Sequence, residues 1–336
     1  MAHRIFISFL LCLSVLSTNA QVVEHEQHSF PELIPAGGYS GITWLGDSVF
    51  AVVSDNVSRD GFFLFSIHFD ETGDIVSARN MGFKEGDGKG RDSEGVAWCS
   101  PRGTLFVSGE RDNKVLELNV NGTPTGNELR LPKVFENASQ AYGLEALTYN
   151  AVTHRFWTTS ESTLKGDGEK ATATNGVQNR LRLQAFNDSL LPVAQYWYVM
   201  DEPVVEEDML PQHFAMGVSA LTALDDGRLL VLEREFAVPE AKLGAFVNCK
   251  IYEVAPNEEE SIASPDTPAS STPLTKKLVA EWLTAIGLLD FSIANYEGMC
   301  LGPKLPDGGQ VLVLISDSQN QYAGILADWL KTIVIY

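Results

Sequence analysis

The sequence predicts an all-β fold, a ring-shaped β-propeller built from four-stranded blades. Two observations lead to this prediction. First, β-branched and aromatic residues alternate in short runs between turn residues, in a chain of 336 residues with 28 Gly. Second, one pattern occurs five times: a small or acidic residue, a small residue, an apolar run, a turn, and a second apolar run that ends at a charged residue. Repeats made of strands and turns are typical of a propeller.

The five copies of the pattern set the expected number of blades. Their second, small residues are Gly41, Gly95, Ala146, Ala220 and Gly298. The intervals between these residues are 54, 51, 74 and 78 positions, and each interval is long enough to supply one blade. The pattern therefore predicts five blades. A sixth blade inside one of the two long intervals is the alternative.

Each interval also contains two further strand candidates, which complete four strands per blade. They are residues 62–69 and 75–81, 114–119 and 128–131, 181–186 and 193–199, and 249–254 and 277–282. After the last copy only one candidate remains, at residues 331–336. We therefore expect the missing strand to come from residues 22–33, so that the N-terminal strand closes the ring.

Three segments stand apart from the repeat. Arg4, an apolar run at 6–16 and a small-residue exit to Ala20 predict a signal peptide over residues 1–20, because the run is too short to span a bilayer. Residues 162–179 and 256–275 are predicted to be inserted loops, since they are polar and the repeat resumes after each. Residues 21–336 are thus expected to form one propeller domain, secreted or periplasmic, with the signal peptide cleaved after Ala20.

The charge balance excludes several classes of partner. The chain has 24 Lys and Arg against 44 Asp and Glu, a formal net charge of -20. Charge of this sign repels nucleic-acid backbones and anionic membrane surfaces. It also disfavours a polyanionic substrate unless bound cations reverse the local field. We expect a monomer that binds a small molecule, with no nucleic-acid partner and no membrane insertion.

The geometry of a blade brings the acidic residues of the repeat to one face of the ring. The first two strands of a blade are antiparallel, so the start of the innermost strand lies beside the end of the second strand. Starts of innermost strands contribute Glu94, Glu145 and Glu297. Ends of second strands contribute Asp55, Glu110, Glu161 and Asp317, with Arg234 at the equivalent position of the fourth copy.

These seven carboxylates are candidate ligands of a metal ion. Carboxylates that converge on one channel mouth repel each other unless a cation neutralises them. Oxygen ligands without His or Cys suit calcium or magnesium better than zinc, so the sequence predicts Ca²⁺. The structural alternative is that each Glu accepts hydrogen bonds from backbone N–H groups of a neighbouring blade.

Two arginines near this face are candidate substrate-binding residues. Arg111 and Arg234 are predicted to hold an anionic substrate beside the metal, and with Glu94, Glu145 and Glu297 they form the predicted catalytic set. The alternative for both arginines is an ion pair with adjacent acidic residues.

Five segments carry the motifs of a known family. They are Ser40–Thr43, Ser93–Ala97, Leu144–Leu147, Leu232–Phe236 and Tyr296–Gly302, of which the last two are the most specific. Together they resemble the phytase-like domain family, also described as "esterase-like activity of phytase". The resemblance implies a secreted β-propeller and a hydrolase that acts on ester bonds, with phosphate esters as the favoured substrates.

Three functions fit the acidic face. The first is cation-dependent hydrolysis of a phosphate ester, in which the metal stabilises the phosphoryl charge and a bound water attacks. The second is hydrolysis of a lactone or carboxyl ester, because Glu94–Trp98 is similar to the metal-binding Glu-Gly-Pro-x-Trp strand of gluconolactonase-like propellers. The third is a propeller that binds a ligand or a protein without catalysis, since a fold does not determine a function.

Overall fold

The computed structural model describes residues 21–139, 141–205, 209–262, 272–288, 291–319, 321 and 326–336. The predicted signal peptide and the middle of the predicted loop at 256–275 lie outside these residues. Within them the chain forms twenty β-strands and two 3-10 helices, at Lys133–Asn137 and Glu258–Glu260. None of the helices in these ranges is long and apolar enough to cross a membrane.

The strands form five antiparallel sheets of four strands each, which are the blades of the ring. The first blade contains β2–β5 (Tyr39–Gly46, Val49–Ser54, Arg59–Phe69, Ile75–Lys89), and the second contains β6–β9 (Ser93–Cys99, Thr104–Gly109, Lys114–Asn119, Pro124–Glu128). The third contains β10–β13 (Leu144–Asn150, Arg155–Ser160, Arg180–Phe186, Pro192–Val199), and the fourth contains β14–β17 (His213–Ala223, Leu229–Val238, Phe246–Val254, Lys276–Ala285). The fifth contains β18–β20 (Asn295–Lys304, Gln310–Asp317, Leu330–Ile335) together with the N-terminal strand β1 (Val22–Glu24). The prediction of a five-bladed propeller is confirmed.

The N-terminal strand closes the ring as predicted. β1 pairs antiparallel with β20, with Val22 opposite Ile335 and Val23 opposite Val334. β1 is therefore the outermost strand of the fifth blade, and β18 is the innermost. The paired segment has only three residues, whereas residues 22–33 were expected to contain the strand; beyond it, His28 adds one isolated bridge to Leu330.

Two outer strands differ from their predicted positions. β9 lies at Pro124–Glu128 instead of 128–131, because it is a largely exposed outermost strand without apolar alternation. β5 runs from Ile75 to Lys89 instead of ending near residue 81. Its second half is polar and rich in glycine, yet its ladder with β4 continues, with Phe63 opposite Phe83. Apolar alternation is thus a poor guide to the strands at the outside of the blades.

The inserted segment at 162–179 contains no strand, as predicted, but it is not fully solvated. Leu164 and Ala171 are buried in the apolar clusters of the third blade. Asp167 accepts two hydrogen bonds from Arg182, at 2.6 and 2.7 Å, with both side chains largely buried. The loop is therefore packed onto the blade that it interrupts.

The innermost strands of neighbouring blades approach each other very closely. A Cβ atom at Gly95 would lie 2.5 Å from the carbonyl oxygen of Glu145, and one at Gly41 would lie 2.4 Å from that of Glu94. Backbone atoms cannot move aside as a flexible side chain can. This steric constraint explains the glycine at Gly41, Gly95 and Gly298, and the close approach also places the acidic residues of adjacent blades side by side.

We expect Gly95→Ala to lower the free energy of unfolding by about 1–3 kcal/mol, the usual cost of overpacking. Gly88→Ala is the matched control, because a Cβ at Gly88 would make only an ordinary contact of 3.4 Å with Asp60 and the backbone there has no left-handed φ. Urea unfolding of both variants measures the difference. Equal stabilities would contradict the close-approach explanation.

Candidate functional site

Three of the predicted ligands meet at one mouth of the channel. Glu94 and Glu145 are the second residues of β6 and β10, and Glu297 is the third residue of β18. Their exposed fractions are 8%, 5% and 9%. One carboxylate oxygen of each lies within 4.8 Å of an oxygen of the other two, a spacing that could hold a metal ion.

A second group of carboxylates shares Glu145 with the first. Glu110 directly follows β7, Glu161 directly follows β11, and their oxygens lie within 4.8 Å of each other and of an oxygen of Glu145. The two groups together contain five carboxylates, which we call the acidic cluster: Glu94, Glu110, Glu145, Glu161 and Glu297. Glu145 lies between two positions that could each hold a cation.

The hydrogen bonds of the acidic cluster do not support the structural alternative for the strand-start glutamates. Among the residues that the structure describes, no donor bonds the carboxylates of Glu94 and Glu145, and Glu297 accepts from the side chain of Asn295 at 2.8 Å. Only Glu110 accepts from a backbone N–H of a neighbouring blade, that of Gly143, at 2.8 Å. The glutamates are therefore not a repeated set of backbone acceptors.

Asp55 and Asp317, the two remaining predicted ligands, flank the acidic cluster without joining either group of three. The Asp317 carboxylate accepts a hydrogen bond from the backbone N–H of Gln319 at 2.6 Å. Oδ1 of Asp55 is buried without a partner in the described part of the chain. Both charges act on Glu94, since they contribute to raising its pKa.

The cluster is electrostatically strained when no cation is bound. Burial, followed by repulsion from the other carboxylates, raises the pKa values of Glu94 and Glu145 well above their ordinary value. The same two causes raise the pKa of Asp55 to about 7. Burial also raises the pKa of Glu161 to about 7, although Arg234 opposes the change. A proton or a cation must therefore neutralise part of this charge at neutral pH.

Arg234 is the cation that the described residues bring into direct contact with the acidic cluster, while Lys170 acts on Glu161 without forming an ion pair with it. Its side chain is buried, donates to Glu161 at 2.5 Å and to Asn295 at 3.1 Å, and lies 3.6 Å from Glu297. The surrounding carboxylates raise its pKa, although burial acts in the opposite direction. Arg234 therefore stays charged and offsets one of the five negative charges.

Arg111 is not brought to the acidic cluster. Its side chain is 64% exposed and donates to the carbonyl of Gly90 at 2.9 Å and to Asp92 at 3.3 Å. It directly follows Glu110, so its side chain leaves the strand end in another direction. The ion-pair alternative describes Arg111, and the described residues show no contact between it and the cluster.

Two residues that shape the site, Asn295 and Gly217, were not among the site residues predicted from the sequence. Asn295 donates to Glu297 and accepts from Arg234, so it fixes both side chains. It stands two residues before Glu297 on β18, and this spacing places side chains on one face of a strand. At Gly217, an added Cβ would lie 2.4 Å from Cγ of Glu161, so the glycine leaves room for that side chain. The i, i+2 spacing could have identified Asn295; the close approach at Gly217 has no sequence signal.

The fold and the site define a five-bladed β-propeller with a buried acidic cluster at one channel mouth. The chain belongs to the phytase-like family, whose model, described as "Phytase-like: Esterase-like activity of phytase", matches residues 34–319. A comparison with curated protein sequences finds no match.

Several solved structures are similar in overall shape. An endo-arabinase from Bacteroides thetaiotaomicron VPI-5482 is 10% identical, with 90% of this chain and 94% of that chain covered and a TM-score of 0.46. A GH43 β-xylosidase/α-arabinofuranosidase from a compost microbial metagenome is 9% identical, with 93% and 95% covered and a TM-score of 0.47. A streptogramin B lyase is 11% identical, with 95% and 98% covered and a TM-score of 0.36. Because these TM-scores are below 0.5, the likenesses carry no argument about function.

We expect Glu145→Gln to stabilise the metal-free protein, by about 1–4 kcal/mol at pH 8, because it removes an unpaired buried charge. The raised pKa means that the folded state binds more protons than the unfolded state at pH values between the two pKa values. The stability of the wild type therefore falls as pH rises through this interval, and the gain from the substitution is larger at pH 8 than at pH 5. Thermal unfolding in EDTA at both pH values measures it.

Glu117→Gln is the control with the opposite sign. Burial opposes ionisation of Glu117, but hydrogen bonds to its carboxylate outweigh it and lower the pKa to about 2. The donors are Arg102, Thr104, Thr125 and Asn127. Loss of this charge should destabilise the protein by about 3 kcal/mol. If Glu145→Gln is destabilised as much as Glu117→Gln, the prediction is wrong, and the charge of Glu145 stabilises the folded protein.

Proposed function

We propose that this protein is a divalent-cation-dependent hydrolase of phosphate esters. The proposal rests on one observation, the two sets of three carboxylates that share Glu145. These side chains are buried at the channel mouth and have few hydrogen-bond donors. Membership of the phytase-like family supports the choice of an ester bond as the target.

Calcium is the cation that we propose. The available ligands are carboxylate oxygens, which hard cations prefer, and the described ligand groups contain neither His nor Cys. Five carboxylates with one arginine leave a local excess of negative charge that two cations at the two groups would neutralise. We also propose that the protein is exported, from its N-terminal segment, and calcium is abundant enough outside cells for sites of modest affinity.

The chain's own residues supply the other parts of such a reaction. A bound cation would lower the pKa of a coordinated water and offset charge on the phosphoryl oxygens. Glu94 and Glu145 have no donors of their own in the described chain and raised pKa values, so either can accept the proton of the attacking water. Arg234, fixed by Glu161 and Asn295, can donate to a phosphoryl oxygen. The water oxygen bonds to phosphorus, the P–O ester bond breaks, and the alcohol leaves with a proton.

Hydrolysis of a lactone or carboxyl ester is the second candidate function. It is favoured by Glu94, which is the second residue of the strand that is similar to the metal-binding strand of gluconolactonase-like propellers and belongs to the first set of three carboxylates. The same cation would then polarise a carbonyl group, and a cluster carboxylate would be the base.

We expect the protein beginning at residue 21 to bind Ca²⁺ in titration calorimetry, with a Kd between about 10⁻⁷ and 10⁻³ M. Glu94→Gln/Glu297→Gln should weaken binding at least tenfold. Glu71→Gln/Glu136→Gln removes the same charge at two exposed positions and should leave binding unchanged.

The same preparations should release phosphate from p-nitrophenyl phosphate with Ca²⁺ but not with EDTA. If the wild type binds no Ca²⁺ at millimolar concentrations, the metal-dependent reading is wrong and a non-catalytic propeller replaces it. If it binds Ca²⁺ but cleaves only lactones or carboxyl esters, the second candidate function replaces the first.

The two predicted arginines should differ sharply in their effect on activity. Arg234→Ala should lower kcat/KM by about 10²-fold or more, the cost of losing a buried donor to developing charge, and Arg234→Lys should recover part of it. Arg111→Ala should change kcat/KM by less than about twofold, because its side chain is exposed and paired with Asp92. Steady-state kinetics measures kcat/KM for those variants whose circular dichroism is unchanged. Equal losses of kcat/KM in the Arg234 and Arg111 variants would contradict the role proposed for Arg234.

A further inference from the structure

The fourth blade has a longer hairpin at the acidic face than the other blades. β14 and β15 have 11 and 10 residues, whereas the first two strands of the second and third blades have 7 and 6. In the other blades the second strand ends at or before the acidic position, but β15 continues four residues past Arg234, to Val238. Its partner begins early, with His213 opposite Val238 and Ala215 opposite Phe236. The extension forms a wall beside the acidic cluster.

A cavity of about 360 Å³ lies against this wall. Its apolar side is formed by Ala215, Phe236 and Val238, which lie on one face of the hairpin, and its polar lining includes Gln212, His213, Arg234 and Gln319. Because Arg234 also contacts Glu161, the cavity adjoins the acidic cluster. Cavities of this size and polarity typically enclose part of a small organic ligand.

Arg234 offers a donor that the protein itself does not use. Its two terminal nitrogens donate to Asn295 and Glu161, but its buried Nε–H has no acceptor among the described residues. A buried, charged donor without a partner costs free energy, and a ligand oxygen would remove this cost. The side chain lines the cavity, although Nε itself has no exposed surface there.

The charges around the cavity do not suit a polyanion. Arg234 is the only Lys or Arg in the described lining. Arg111 faces solvent, and Arg91 is held by Asp112 through two hydrogen bonds of 2.8 and 2.9 Å. With a net charge of -20 on the chain, the described lining offers one arginine, together with His213, for one anionic group beside an apolar wall.

We propose that the substrate is a monoester with a single phosphate and a hydrocarbon or aryl group, and that this group lies against Ala215, Phe236 and Val238. This assignment rests on the proposed function, whose metal positions would hold the phosphate. A polyphosphorylated substrate would leave the apolar wall uncovered and its own additional charges unpaired.

Binding of non-hydrolysable alkylphosphonates tests this assignment without any turnover. We expect titration calorimetry of the wild type with Ca²⁺ to show an affinity that rises about three- to fourfold for each added CH₂ between methyl-, butyl- and hexylphosphonate. Hexylphosphonate should also bind more tightly than inositol hexakisphosphate.

Ala215→Leu narrows the cavity at its apolar side and should weaken the dependence on chain length while methylphosphonate still binds. Ala151→Leu makes the same change at an exposed turn and should behave like the wild type. Val238→Ser, which removes apolar surface from the wall without narrowing the cavity, should weaken hexylphosphonate binding but not methylphosphonate binding.

The outcomes separate the two proposals. Methylphosphonate and Ca²⁺ binding with no effect of chain length overturns the apolar subsite and leaves the proposed function intact. A chain-length effect that Ala215→Leu does not change places the hydrocarbon elsewhere and also overturns the subsite. Absence of both Ca²⁺ and phosphonate binding overturns the proposed function itself.

Discussion

The close approach of the innermost strands is the constraint on which the rest of the molecule depends. Where the copies have Gly, an added Cβ would meet the backbone of the next blade, and hydrogen bonds such as that from Ser40 Oγ to the carbonyl of Ser93, at 2.6 Å, join the strands at the same level. A fivefold repeat packed in this way necessarily stacks equivalent positions around one axis. Any charge next to the small residue is therefore multiplied at the channel mouth.

The protein offsets this accumulated charge only in part. Arg234 replaces an acid at one of five equivalent positions, and Asn295 ties it to Glu297, but Glu94 and Glu145 keep no donor in the described chain. Contrast Glu117, another buried carboxylate, which has four donors and a pKa lowered to about 2. The same sequence thus satisfies a structural acid fully and leaves others unsatisfied, a difference that is typical of functional sites.

The repeat allowed both the five blades and the convergence of the acids to be predicted from the sequence, because a period-two pattern and antiparallel pairing determine where strand ends lie. The structure brings together five of the seven acids and Arg234. The position of Arg111 was not predictable, since a side chain just beyond a strand takes its direction from the loop. The extended hairpin from His213 to Val238 was not predicted for another reason: the repeated pattern covers only its inner part, up to Arg234, and its length matters only relative to the blades around it.

The pairing of β1 with β20 has a consequence for how the chain reaches this fold. The first described strand finds its partner only when the last one exists, so the ring cannot close before β20 has been synthesised. Until then the fifth blade has an exposed edge, and the acidic cluster lacks Glu297 from β18 of that blade. The site is therefore completed only after the strands of the fifth blade have been made.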